Sequence, residues 1–455
     1  MIKDIFRVLV SNFGVTIIGI CNSFFLPKVL TIDQYAIYQT FVLYMTYTAA
    51  LHLGFPSGMF IKYAGKSYSE INKGEYKTEL SIIEILLLFF SVIAVIVSGI
   101  MNSKVFLLVS MTIFPYCLVG SFKSLYQAFG EFGKYSVVNF AIPFATLIMN
   151  ILFWMIYKSL TWTFCVFSFV ISYLVVTIYI LFTNTLQYKN IKINKILDKK
   201  NAAILSTGFL LMIGNYINTL FLSADKQFIK IFYDDYSFAY YSFAMSMQAI
   251  MVVFITSISQ PLFPKMAKKG FNKDECKSIE EMLIIFGSLS GSAYFFCDII
   301  INMFIPKYIN SLNVLKIYFA VFPFLAVINC LIINLYKSEG KIRKYILSLV
   351  LALICAVALD MIVVLLKIDY IYIAGATLLA YIIWMHIGIK DFAFLKLNLR
   401  DIVFLCIFLM IYYVTTSMIT NSFIGLFAYF IVDSLAVIML YFRKIKMFIY
   451  MLKEN

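Results

Sequence analysis

The stretch that decides the fold lies at positions 81–100 and reads SIIEILLLFFSVIAVIVSGI, with Glu84 as its single charged residue. An α-helix rises 1.5 Å per residue, so about 20 residues span the roughly 30 Å hydrocarbon core of a bilayer. Inside that core every backbone polar group must find a partner within the protein, which a helix provides by itself. Positions 81–100 therefore predict a transmembrane helix.

Comparable apolar runs recur along the whole chain. Hydrophobic residues make up 63% of the sequence and charged residues 13%, against about 25% charged residues in ordinary soluble domains. Such a composition excludes a water-soluble domain and predicts an all-α integral membrane protein of about fourteen spans. We place these spans near residues 8–30, 35–60, 80–101, 105–128, 136–157, 160–184, 203–223, 236–262, 282–305, 310–336, 345–366, 369–389, 401–418 and 421–442.

The distribution of positive charge predicts the orientation of these spans. If the N-terminus is cytoplasmic, 29 of the 37 Lys and Arg residues fall in cytoplasmic segments and seven on the external side. This bias follows the positive-inside rule and predicts that both termini lie in the cytoplasm. The net charge of +14 is then a topological signal, and we expect no nucleic-acid partner.

The remaining segments predict no catalytic or metal chemistry. The longest predicted external loop runs only from Ala224 to Asp235, and the cytoplasmic loops are about 15–20 residues long, too short for a soluble domain. Eight dispersed cysteines and two histidines favour neither a metal site nor a disulfide framework. Residues 8–30 are too long for a signal peptide and are predicted to be the first span. We therefore expect no enzyme and no cofactor.

A weak internal repeat predicts two related halves. Residues 18–26 read IGICNSFFL in span one, and residues 213–221 read IGNYINTLF in span seven. An offset of six spans preserves the direction of crossing, so the repeat would be parallel, about an axis along the membrane normal. The predicted division is an N-terminal lobe at 1–200, a second lobe at 201–395, and two additional helices with a cytoplasmic tail at 396–455.

Four short motifs carry a family resemblance. They are LPKVLTIDQYAIY at 26–38, LGFPSG at 53–58 with KYAG at 62–65, YQAFGEF at 126–132 and SADK at 223–226. With these motifs the sequence resembles the Wzx-type O-antigen and polysaccharide repeat-unit flippases of the multidrug/oligosaccharidyl-lipid/polysaccharide exporter superfamily. Ala36 stands where that family usually has glycine.

The resemblance implies both an architecture and a task. The architecture is two six-helix lobes around a central cavity, followed by two C-terminal helices. The task is to move undecaprenyl-pyrophosphate-linked oligosaccharide units from the cytoplasmic to the external leaflet of the cytoplasmic (inner) membrane, by alternating access, for O-antigen or capsule biosynthesis. Membrane lipid, a polysaccharide polymerase and a chain-length regulator are the partners it implies.

Such a cargo needs a polar, partly cationic cavity within the membrane, which selects the candidate substrate-binding residues. Amides suit sugar hydroxyls because they donate and accept hydrogen bonds, and ammonium or imidazole groups suit pyrophosphate. The same amides could instead join helices, the histidine could be a packing residue, and the lysines could extend to the membrane surface. The candidates are Asn22, Lys28, His52, Asn215, Asn218, Lys226 and Lys316.

Carboxylates within or directly beside predicted spans are candidates for ion coupling. A proton- or sodium-driven exporter needs a buried carboxylate whose occupancy changes the conformational balance. Asp225, Asp298 and Asp360 are the candidates, although Asp225 could simply neutralise Lys226. Prolines such as Pro323, inside span ten, predict kinks.

Two other functions remain open at this level. A multidrug antiporter of the same superfamily would usually have twelve spans, and the apolar runs at 401–418 and 421–442 argue against it. A membrane-embedded polysaccharide polymerase or glycosyltransferase would need a sizeable external loop with catalytic residues, which the predicted loops do not provide.

Overall fold

The structure is a computed structural model of the 455-residue chain. It describes the backbone except at residues 1, 189–190, 192–194, 197, 270–271 and 454–455. The backbone alone, without the side chain, is described for residues 2–9, 185–188, 251, 260–261, 263–265, 267–269 and 443–453.

The described residues form α-helices joined by short connections, without a β-strand. The first eight helices are α1 (Ile2–Val29), α2 (Ile32–Thr48), α3 (Phe55–Tyr63), α4 (Lys73–Ile100), α5 (Lys104–Ala128), α6 (Phe132–Tyr157), α7 (Trp162–Tyr188) and α8 (Lys199–Phe232). The others are α9 (Asp235–Lys269), α10 (Lys273–Ser290), α11 (Ala293–Phe304), α12 (Ser311–Ala320), α13 (Phe322–Val327), α14 (Ile333–Ser338), α15 (Ile342–Leu365), α16 (Ile371–Asp391), α17 (Leu399–Met418) and α18 (Ser422–Lys453).

These helices confirm the predicted all-α membrane class. Among the described residues, 12 spans are long and apolar enough to cross a bilayer, and a thirteenth is a pair bent by 47°, Ser311–Ala320 with Phe322–Ser338. The bend coincides with Pro323, as expected from a proline that cannot donate its backbone N–H to the preceding turn. The protein is therefore a multi-pass membrane protein.

The predicted second span, 35–60, differs from a continuous helix. It consists of α2, a 3₁₀ turn at Ala49–His52, and α3. The backbone at Leu53 and Gly54 is left-handed, with φ of 51° and 78°, which ends the 3₁₀ turn, and Pro56 then fits the first turn of α3. The count of about fourteen thus becomes 12 helices and one bent pair, with this stretch as a broken segment.

Glycines bring α3 unusually close to the N-terminal half of α8. A Cβ atom added at Gly208 would lie 2.1 Å from the carbonyl oxygen of Gly54 and 2.5 Å from the backbone nitrogen of Gly58. A Cβ atom added at Gly58 would lie 2.1 Å from the carbonyl oxygen of Ile204. Small residues spaced four apart allow this backbone-to-backbone approach in membrane helices.

The chain divides into two compact units, Met1–Ser223 and Ala224–Asn455. The division falls within α8, the helix that opens the predicted second lobe. In the second unit, charged side chains of α17 contact both α10 and α18. The carboxylate of Asp401 contacts Lys277 at 3.0 Å and accepts a hydrogen bond from Tyr441 at 2.9 Å, and Arg400 pairs with Glu281.

Candidate functional site

A buried carboxylate, Asp225 on α8, gathers hydroxyl groups from three other helices. Its Oδ2 atom accepts hydrogen bonds from Tyr241 on α9 at 3.0 Å, Tyr318 on α12 at 2.5 Å and Thr377 on α16 at 2.7 Å. Asp225 is only 3% exposed, and the two tyrosines are almost completely buried. A charge inside the membrane costs free energy unless it is paired. Here the three hydrogen bonds to Oδ2 offset the cost of burying the Asp225 carboxylate.

The hydroxyl groups of this cluster can rearrange. The Tyr318 and Tyr241 hydroxyls lie 2.8 Å apart, and Thr377 can also donate to the carbonyl of Ile373 at 3.1 Å. Each hydroxyl carries one proton, so the three protons cannot make all five of these hydrogen bonds at once. The network can therefore turn a hydroxyl away from Asp225 when a proton or cation arrives there.

Asp360, on α15, is the second carboxylate of the site. It is 1% exposed, and its Oδ2 atom is buried without a hydrogen-bond partner among the described residues. Asp225 and Asp360 are near enough to act on each other electrostatically. Two buried negative charges repel, so a proton or a monovalent cation held between them would lower the electrostatic energy.

The third carboxylate predicted for ion coupling lies in a different setting. Asp298, on α11, is partly exposed and accepts hydrogen bonds from Ser422 at 2.6 Å and Asn302 at 2.7 Å. The structure thus places Asp225 and Asp360 within electrostatic range of each other in the second unit and gives Asp298 partners of its own. In the described part of the chain, no group of three or more His, Cys, Asp or Glu residues is arranged as a metal site.

Three of the predicted substrate-binding residues have defined surroundings in the first unit. The Oδ1 atom of Asn22 is buried and unpaired within the described residues. Lys28 is exposed near the end of α1. The Nδ1 atom of His52 accepts a hydrogen bond from the backbone N–H of Gly54 at 3.0 Å, so the ring is unprotonated at Nδ1 and stabilises the left-handed turn.

The other predicted substrate-binding residues lie on α8 and α12. Asn215 is exposed, and Asn218 and Lys226 are partly buried. Lys226 follows Asp225 directly, which turns its side chain by about 100° around the helix. The ammonium group of Lys316 donates a hydrogen bond to Ser417 and lies 5.1 Å from the ring centroid of Tyr413. Lys316 therefore contacts α17 from α12.

Sequence reasoning missed the hydroxyl partners of Asp225. Tyr241, Tyr318 and Thr377 are distributed over three helices, and tyrosine is common throughout this chain, with 32 residues. Their position inside apolar runs, away from the interfaces where tyrosine is enriched, was the available signal.

A comparison with solved structures shows that this fold occurs in a known protein. The chain matches a structure described as lipid II flippase MurJ in an inward closed conformation, with a TM-score of 0.72 over 98% of this chain and 99% of that one. The chain has the fold of this flippase. The sequences are 16% identical, so the likeness establishes the arrangement of helices. No family model and no curated protein matches the sequence.

The MurJ-like fold agrees with the predicted fold class. It covers the helices that carry Asp225, Asp360 and their hydroxyl partners, as well as the last two helices, α17 and α18. The low identity leaves the side chains of the site to be interpreted from their own geometry.

Proposed function

We propose that this protein is a flippase for lipid-linked oligosaccharides. In its specific form the proposal is that it moves undecaprenyl-pyrophosphate-linked repeat units from the cytoplasmic to the external leaflet of the inner membrane, for O-antigen or capsule biosynthesis. The observation that carries it is the full-length likeness to a lipid II flippase. The motifs around Pro27 and Pro56, which resemble polysaccharide flippases, support the repeat unit as cargo.

The buried carboxylates supply a coupling mechanism for this proposal. Transport against a gradient requires an ion whose binding favours one conformation over another. Asp225 and Asp360 form an acidic pair with hydroxyl groups that can reorient, which suits a proton or a sodium ion. Asp298 stays a candidate for a separate coupling group.

The predicted substrate residues enter the proposal with distinct tasks. Asn22 offers an unpaired buried carbonyl, and Asn215 and Asn218 offer amides on α8, all suited to sugar hydroxyls. Lys28 and Lys226 offer ammonium groups to pyrophosphate. His52, which contacts Gly54, and Lys316, which contacts Ser417, complete the set of candidate substrate-binding residues.

Reconstituted vesicles would test the transport activity directly. The purified protein is incorporated with a fluorescent prenyl-pyrophosphate-linked oligosaccharide, and the externally exposed fraction is measured by adding a membrane-impermeant quencher. We expect faster exposure than in protein-free vesicles, and a further increase when a sodium or proton gradient is imposed. Vesicles that translocate a cationic drug and leave the lipid-linked sugar in place would contradict the proposal and favour the antiporter.

The same assay distinguishes which of the three carboxylates is needed for ion coupling. Asp225→Asn and Asp360→Asn should abolish the stimulation by the ion gradient, because the acidic pair is removed. Asp298→Asn is the matched control, since its hydrogen bonds are made within another group of residues. If Asp298→Asn loses the stimulation and Asp360→Asn keeps it, the coupling site is at Asp298.

A further inference from the structure

The first unit contains a cavity, apolar over most of its lining but with four polar side chains, that Asp225 and Asp360 do not line. Its volume is about 270 Å³, many times what one water molecule needs. Side chains of four helices line it: Val15 on α1, Lys123 on α5, Asn139, Val138, Ile142, Pro143 and Thr146 on α6, and Phe169 and Tyr173 on α7.

Lys123 is the charged residue of this cavity, and no carboxylate pairs with it in the part of the chain that the structure describes. Its ammonium group lies 5.8 Å from the ring centroid of Tyr135. The side chain is partly buried within a helix that crosses the membrane. Intramembrane lysines normally have an anionic partner or mark a substrate path, so the cavity is suited to an anion.

Two further polar residues of the cavity, Asn139 and Thr146, lie on one face of α6, and Tyr173 lies on α7. Asn139 donates a hydrogen bond to Asn12 at 3.1 Å, and the hydroxyls of Thr146 and Ser172 lie 3.0 Å apart. Pro143 has no backbone N–H, which leaves the carbonyl of Asn139 without its usual helical partner. These groups offer acceptors and donors beside the ammonium group.

The same face of α6 carries a polar residue beyond the lining. Asn150 lies one turn past Thr146, is fully buried, and neither Oδ1 nor Nδ2 has a hydrogen-bond partner among the described residues. An unpaired buried amide in a membrane helix costs free energy. Its retention on this face indicates that the stripe from Asn139 to Asn150 has a use other than packing.

We propose that this cavity binds the phosphate or pyrophosphate group of a prenyl-linked lipid, with Lys123 as the anion contact and the α6 stripe as its polar surround. The inference rests on the proposed function, since it names the part of the cargo that the first unit recognises. It assigns to Lys123 a role that charge counting along the sequence does not give, because there it is one of many cytoplasmic lysines.

Binding measurements on the full-length protein in neutral-lipid nanodiscs would test this site. The probes are geranylgeranyl pyrophosphate, geranylgeraniol and inorganic pyrophosphate, each titrated against the wild type, Lys123→Gln, Lys123→Arg and Lys104→Gln. Lys104 is the matched control, an exposed lysine at the other end of α5. A charged hydrogen bond is lost in Lys123→Gln, so we expect roughly tenfold to hundredfold weaker binding of the pyrophosphate lipid.

The variants and probes give distinct outcomes. Restored affinity in Lys123→Arg and unchanged affinity in Lys104→Gln would support an anion contact at Lys123. Weakening with both pyrophosphate probes assigns the site to phosphate alone, whereas weakening only with the lipid probe assigns it to a lipid head group. Lys123→Gln with wild-type affinity for every probe, at an unchanged unfolding temperature, overturns the inference.

The transport assay keeps this inference separate from the proposed function. If the wild type flips the lipid-linked sugar and Lys123→Gln binds every probe normally, the inference alone fails. If the wild type binds the pyrophosphate lipid through Lys123 and flips nothing, the proposed function alone fails.

Discussion

Two sets of buried polar groups, one in each unit, differ in how they are paired. In the second unit, Asp225 receives hydroxyl groups from three helices. In the first unit, Lys123 lies in a cavity without a carboxylate partner among the described residues, and Asn150 is buried with both amide atoms unpaired. A satisfied polar network stabilises the unit that contains it, whereas unpaired groups cost stability. The difference indicates that Asp225 holds its helices together, and it is the reason why we propose a ligand for the α6 stripe.

Two helix contacts, one in each unit, achieve close packing by different means. In the first unit, α3 meets the N-terminal half of α8 through Gly54, Gly58 and Gly208. In the second unit, α10 and α17 meet through Arg400 and Glu281. Glycine contacts depend on the absence of side chains, whereas charged contacts depend on both partners being present. The two units should therefore respond to different substitutions.

The largest expected effect is that of Asp225→Ala. Three buried hydroxyls would lose a charged acceptor, and the free energy of unfolding should fall by about 3 kcal/mol, since each orphaned donor costs about 1 kcal/mol or more. Asp225→Asn keeps an acceptor oxygen and should lose less. Thermal unfolding in detergent, followed by circular dichroism, measures both. If neither variant measurably lowers the free energy of unfolding, Asp225 does not stabilise its unit. The contrast with the unpaired groups of the first unit would then be wrong.

A smaller effect is expected from Gly208→Ala. The added Cβ would lie 2.1 Å from the Gly54 carbonyl oxygen, so a backbone must move, at a cost of about 2 kcal/mol. Gly120→Ala is the matched control, because a Cβ added there meets nothing within 4 Å. The control should be neutral or stabilising by up to about 1 kcal/mol, as alanine is the better helix former. Similar unfolding temperatures for the two variants would contradict the glycine contact.

The fold was largely predictable because hydropathy alone identifies helices that a bilayer requires. The broken second span was not, although Gly54 and Pro56 were visible, because a single sequence does not distinguish a kink from a break. For the site, the sequence identified Asp225 and Asp360 separately. Their convergence depends on how α8 and α15 pack, and hydropathy carries no information about which face of an apolar helix meets which neighbour.

Lys123 illustrates the converse limit. In the sequence it lies near the end of an apolar run that we predict to be cytoplasmic, where the positive-inside rule accounts for it fully. Only the positions of Asn139, Thr146 and Tyr173 around the cavity distinguish it from the other lysines with that predicted placement.

The smallest expected effect is that of replacing a buried asparagine by leucine. The change in the free energy of unfolding should have opposite signs in the two units, which makes it the most direct test of the comparison. Asn150→Leu removes a buried amide that has no partner among the described residues, and the free energy of unfolding should rise by about 1 kcal/mol. Asn334→Leu in the second unit is the matched control. Its buried Nδ2 donates to the Cys330 carbonyl at 2.9 Å and to Ser259 at 3.1 Å, so this variant should lose about 1 kcal/mol. Thermal unfolding of the two variants side by side measures the sign. If both are destabilised equally, Asn150 is as well paired as Asn334, and the α6 stripe is a packing feature rather than a reserve for ligand.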